Sequence, residues 1–268
     1  IILPMLPDDN LIPGINLTPY SIWLATVVVS GISYLSYLLK RYVFRESGIL
    51  VSGIVGGLYS STATISVLAR KSRKVSALEA PEYVAAMLLA VSMMFLRFLI
   101  LIGIFSVGAL TAIYPYLLIM SAVAAGTAWF LHSRWKRPAM SETVDEDEDG
   151  SNPLEFKVAL IFAVLFVVFT IATHYTLIYA GEGGLTLLSF VSGFSDITPF
   201  ILNLLQGTGN VPVSLITACS MQAIVSNIAV NMCYALFFSG KKSPLRSWGL
   251  RGCVIAANVF LLLFFYFL

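Results

Sequence analysis

No Asp, Glu, Lys or Arg occurs from 98 to 133, from 158 to 181 or from 197 to 240 of this 268-residue chain. Each run exceeds the roughly 20 apolar residues that a helix needs to cross a bilayer. Hydrocarbon offers no partner to a backbone N–H or C=O, so spanning segments are helices or strands of closed barrels. The alternating polar and apolar strands of a barrel are absent. The chain therefore reads as an all-α polytopic membrane protein. Its 58% hydrophobic and 11% charged residues agree, since a soluble domain carries about 25% charged residues.

Apolar segments lie at 18–39, 47–69, 83–107, 109–132, 157–181, 183–206, 211–239 and 248–268. The acidic stretch SETVDEDEDGSNP divides them into four and four, and 139–156 reads as a solvated linker. If all eight segments cross, Lys40, Arg41, Arg45, Lys241, Lys242, Arg246 and Arg251 face one side. Arg70, Lys71, Arg73, Lys74, Arg134, Lys136, Arg137 and Lys157 then face the other. That near-even split contradicts the excess of Lys and Arg in cytoplasmic loops. If 47–69 and 183–206 instead enter the bilayer and turn back, all of these become cytoplasmic, and Asp8, Asp9 and Glu182 become external. Of the 16 basic residues only Arg97 then lies inside the membrane.

Three crossings plus one re-entrant segment per half put the second half upside down relative to the first, as in many secondary transporters. The expected organisation is an external tail 1–17, a first repeat 18–138, a cytoplasmic linker 139–156 and a second repeat 157–268, with both termini external. The opening IILPMLPDD reads as the end of an upstream helix rather than a signal peptide, which would begin with a basic region. Internal similarity supports the repeat. Without a gap, Gly53, Gly57, Ser60 and Thr62 align with Ser189, Gly193, Asp196 and Thr198, while Ser92 and Arg97 align with Ser226 and Asn231.

Paired, Gly-interrupted segments at matching positions mark a transport site in such proteins. Here they are GGLYSST, with Gly56 and Gly57, and SGFSDIT, with Gly193. Ser60, Ser61, Thr62, Asp196 and Thr198 supply oxygen ligands or helix caps, and Thr198 before Pro199 reads as an N-cap. Close packing through small-xxx-small motifs is the competing account of the glycines. Asp196 lies well inside an apolar segment, a costly position that is functional by default, here as a candidate metal ligand. Arg97 is the other intramembrane charge. It reads as the charge partner of Asp196, as a contact for an anion, or as a mobile tethered cation. Ser226, Asn227 and Asn231, with Gln222 one turn earlier, either line a path or bond neighbouring helices.

Enzyme signatures are missing: there is no GxSxG, HExxH, phosphate loop or dinucleotide fingerprint. Cys219, Cys233 and Cys253 lie in apolar segments without a CxxC, which argues against a disulfide framework or zinc site. No cofactor is implied beyond a bound metal ion, and no nucleic-acid partner.

Five motifs in order, GGLYSSTATISVLARKS, MMFLRFLIL, NPLEFKVALIFAVLF, LLSFVSGFSDIT and IVSNIAVN, resemble successive signatures of domain of unknown function 4010. This is the C-terminal membrane domain of MgtC/SapB-like prokaryotic proteins. The resemblance implies a bacterial or archaeal inner-membrane protein with an MgtC-like helical module upstream. The family pattern has a second Asp where this chain carries Thr198, which removes an anionic oxygen of the kind hard divalent cations favour. It has a Lys where this chain carries Asn231.

The resulting expectation is an inverted-repeat transporter or channel for a small ion, with a metal cation favoured and a midplane site between two re-entrant hairpins. The alternatives are an anion or small-solute permease using helix N-termini and Arg97, and a non-transporting membrane regulatory subunit. A homodimer is expected from the lipid-facing surface that six crossings leave.

Overall fold

The computed structural model describes residues 3–12, 14–43, 48–74, 79–134, 156–207 and 211–239. Among them are seven α-helices: α1 Pro19–Leu38, α2 Ile49–Lys71, α3 Ala80–Phe105, α4 Val107–Arg134, α5 Phe156–Ser192, α6 Ile197–Gly207 and α7 Val213–Ser239. No strand occurs among the described residues. All but α6 are long and apolar enough to cross a membrane. The expected eighth segment, 248–268, lies outside the described residues, as does the linker 139–156 except for its last position.

The helix ends follow local chemistry. Thr18 precedes Pro19 and caps α1: Ser21 N donates to Thr18 Oγ1 (3.1 Å) and Thr18 N to Ser21 Oγ (3.2 Å). This reciprocal arrangement satisfies donors that the first turn leaves without intrahelical partners.

Two of the long helices are interrupted. In α2, Ser60 leaves helical geometry at φ −158° and ψ 106°. In α5 the break is Gly181, at φ 60° and ψ −152°, a region open in practice only to glycine. A turn over 193–196 then separates α5 from α6. The helical pieces so defined, 49–59, 61–71, 182–192 and 197–207, each hold 11 residues. At 1.5 Å per residue each is about 16 Å long, roughly half of a hydrocarbon core of about 30 Å.

The chain divides into two compact units. The first takes the described residues within 1–34, 98–115 and 151–227, the second those within 35–97, 116–150 and 228–268, and the boundary cuts α1, α3, α4 and α7. In the first unit α6 lies against the 156–180 stretch of α5. Phe200 meets Phe169 edge to face (5.5 Å), and Asn203 Nδ2 donates to Thr173 Oγ1 (2.8 Å) and the Phe169 carbonyl (3.3 Å). In the second unit Ile65 and Leu68 of α2 bury against Tyr83, Val84 and Met87 of α3. There the hydroxyls of Ser92 in α3 and Ser121 in α4 lie 2.9 Å apart, and each is within hydrogen-bond distance of the other residue's carbonyl (3.0 and 3.2 Å).

Candidate functional site

Each unit contains one break that a capping residue closes, at Ser60 in the second unit and at 193–196 in the first, and these two are built alike. In the second unit the extended backbone at Ser60 opens the piece 61–71, and Ser60 Oγ accepts the Ala63 N–H (3.3 Å). That is N-cap geometry, with the side-chain oxygen satisfying an amide of the first turn. Ser61 is buried and Thr62 half-buried. The Thr62 carbonyl accepts the Ser66 hydroxyl (2.8 Å). On the other side of the break, Arg97 Nη1 donates to the Tyr59 carbonyl (2.7 Å). Arg97 is buried, at 9% exposure.

In the first unit, the turn unwinds through bonds to the third residue back: Gly193 N to Phe190 O (3.3 Å), Phe194 N to Val191 O (3.1 Å) and Ser195 N to Ser192 O (3.0 Å). The exposed Asp196 then precedes α6, and its Oδ1 accepts the Thr198 N–H (3.0 Å). The N-cap is thus Asp196, one of the strongest capping residues, and not Thr198 as the sequence reading has it. Thr198 is buried inside the first turn. On the other side, Asn227 Nδ2 donates to the Gly193 carbonyl (3.1 Å) and the Ser195 carbonyl (3.4 Å), and Ser226 Oγ donates to the Phe190 carbonyl (2.7 Å).

The glycines permit both arrangements by close approach. A Cβ on Gly57 would collide with the Ala90 backbone, one on Gly53 with the Ala86 backbone, and one on Gly193 with the Ser226 side chain. Gly56 faces the Thr64 side chain across the break. The packing account and the functional account of these glycines are compatible, since the same closeness brings α3 and α7 within reach of the breaks.

The candidate residues therefore fall into two groups. Ser60, Ser61, Thr62, Gly56, Gly57 and Arg97 belong to one unit, and Gly193, Asp196, Thr198, Ser226 and Asn227 to the other. Two participants carry no side-chain signal, because Tyr59 and Ser195 enter through their carbonyls. A third, Ser189, donates to Gln222 Oε1 (3.1 Å) and ties the piece 182–192 to α7. Its signals in the sequence are its alignment with Gly53 and its small-xxx-small spacing to Gly193. Among the described residues no three His, Cys, Asp or Glu side chains group as metal ligands do.

Residues 27–239 match the family described as Domain of unknown function (DUF4010). The chain belongs to the DUF4010 family. The match takes in both breaks, Arg97 and Asn227. A protein of Aquifex aeolicus (strain VF5), described as an uncharacterized protein, is 27% identical over 206 residues, which are 74% of this chain and 86% of the relative. No solved structure matches this DUF4010 chain.

Proposed function

We propose that this DUF4010 protein moves a small ion across a prokaryotic cytoplasmic membrane, through its two helix breaks. The observation that carries the reading is the duplicated construction. In each unit a half-length helix ends in a carbonyl held from a neighbouring helix, and the next piece opens on an oxygen-bearing cap. Irregular backbone at membrane depth is tolerated where it is buried in protein or lines a wet cavity. Interrupted helices at matching positions of two repeats mark the binding region of secondary transporters.

A metal cation is the substrate we favour. Asp196 is exposed, and capping uses one lone pair of its carboxylate, so oxygen capacity remains for a ligand. An anion is the second reading, supported by Arg97 and by the positive ends of the pieces that begin at 61 and 197.

The inverted topology with re-entrant pieces rests on the distribution of Lys and Arg. Pieces of about 16 Å reach only mid-membrane, and turning back there gathers the basic residues on the cytoplasmic side. The homodimer, the upstream MgtC-like module and the absence of catalysis belong to the same proposal.

The test is flux of purified protein in proteoliposomes, screened over monovalent and divalent cations and over small anions. Cation flux that falls in Asp196→Asn supports the first reading. Anion flux that falls in Arg97→Gln supports the second. No flux of any ion above empty vesicles would leave the regulatory subunit as the better account.

A further inference from the structure

We infer that Arg97 and Asn227 are matching positioning residues. Each latches the carbonyl just before a capping residue, and each thereby sets the geometry of one helix break. In the alignment of Gly57 with Gly193, Tyr59 falls opposite Ser195 and Ser60 opposite Asp196. Arg97 holds the Tyr59 carbonyl, and Asn227 holds the Ser195 carbonyl together with that of Gly193. Ser60 follows the Tyr59 carbonyl and Asp196 follows the Ser195 carbonyl, and each is the cap of the next piece. Two helices from different parts of the chain thus deliver donors to equivalent carbonyls.

The physical need is specific. A helix that stops inside a membrane leaves carbonyls without intrahelical partners, and hydrocarbon supplies no water to take them. A donor from a neighbouring helix satisfies them and holds the break open against relaxation into continuous helix. Electrostatics also favour the charged members where they stand. Arg97 sits at the C-terminal, negative end of the piece 49–59, and Asp196 at the N-terminal, positive end of α6. Each charge is therefore compensated by the helix terminus within its own unit. The guanidinium acts first as a latch on the backbone, in a charge-assisted hydrogen bond of the stronger kind.

This inference rests on the same breaks as the proposed function, but its test needs no substrate. Hydrogen–deuterium exchange of the purified full chain in detergent reads the segments 56–64 and 190–199 separately. Arg97→Met keeps the apolar stem and removes the donors. It should speed exchange in 56–64 roughly tenfold to a hundredfold while leaving 190–199 within about twofold, and Arg97→Lys should restore most of the protection. Asn227→Asp is isosteric but cannot donate, and should speed exchange in 190–199 several-fold while sparing 56–64. Unchanged exchange in 56–64 with Arg97→Met, or Arg97→Lys as fast as Arg97→Met, would overturn the latch. Equal acceleration of both segments by either variant would reduce these residues to general stability. Protection that behaves as expected in a protein without flux would uphold the latch and sink transport alone.

Discussion

Arg97 donates to the Tyr59 carbonyl at 2.7 Å, one residue before α2 leaves helical geometry at Ser60. An intramembrane arginine of this kind invites an ionic explanation. One of its acceptors is a backbone group, at the helix terminus whose dipole favours a cation.

The pairing of Arg97 with Asp196 read from the sequence is open to a direct test. Compensation within each unit predicts that the stability losses of Arg97→Gln and Asp196→Asn add within about 0.5 kcal/mol in the double variant. A counter-charge pair predicts single variants worse than the double, because removing one partner strands the other. Denaturation in detergent of the four proteins separates the two.

Asp196→Asn separates capping from ion binding. Asn caps about as well as Asp, so stability should fall by less than about 1 kcal/mol, the share due to charge at a helix N-terminus. Asp196→Ala removes the cap too and should cost about 1 kcal/mol more. Cation flux should be lost in both. Wild-type cation flux in Asp196→Asn would remove the carboxylate from the site.

Gly57→Ala and Gly193→Ala should each destabilise by roughly 1–3 kcal/mol, because the added methyl meets the Ala90 backbone and the Ser226 side chain. Gly183→Ala is the control. It meets nothing within 4 Å in a helix, and alanine there should be neutral or stabilising by about 0.5–1 kcal/mol. Thermal unfolding of the three variants checks the contrast.

Topology is testable with single cysteines after Cys219, Cys233 and Cys253 are replaced by alanine. Arg41 and Arg73 are exposed and flank α2, and Glu182 is exposed beside the Gly181 break. If α2 turns back, cysteines at 41 and 73 label from the cytoplasmic side and one at 182 from the opposite side. Labelling of 41 and 73 from opposite sides would mean that α2 crosses. Ser72 is a poor probe, being buried and bonded to the Ala69 carbonyl.

Among the described residues, apolar spans, helix breaks and the type of cap were legible in the residues alone, because each is a local property. A span needs a run without charge, a break inside hydrocarbon needs glycine or a side chain that competes for backbone, and a cap needs a short oxygen-bearing residue. The interruptions at GGLYSS and SGFSD, the Gly181 end of the 157–181 segment and the equivalence of Ser60 with Asp196 all follow from such signals. Local reasoning failed narrowly at Thr198. Proline after it resembled a first helical residue, whereas α6 begins two residues earlier than Pro199, with Asp196 as the cap.

Which side chain serves which carbonyl was settled only by the fold. Alignment sets Arg97 opposite Asn231, but the residue that holds the second break is Asn227, one turn earlier on the same helical face. A turn of helix is about 5.4 Å, a gap that an arginine's longer stem covers and an asparagine does not. The match therefore depends on side-chain reach and helix phase between residues more than 30 positions apart. Those quantities exist only once α3 and α7 have packed against the breaks, through glycines that let the backbones approach.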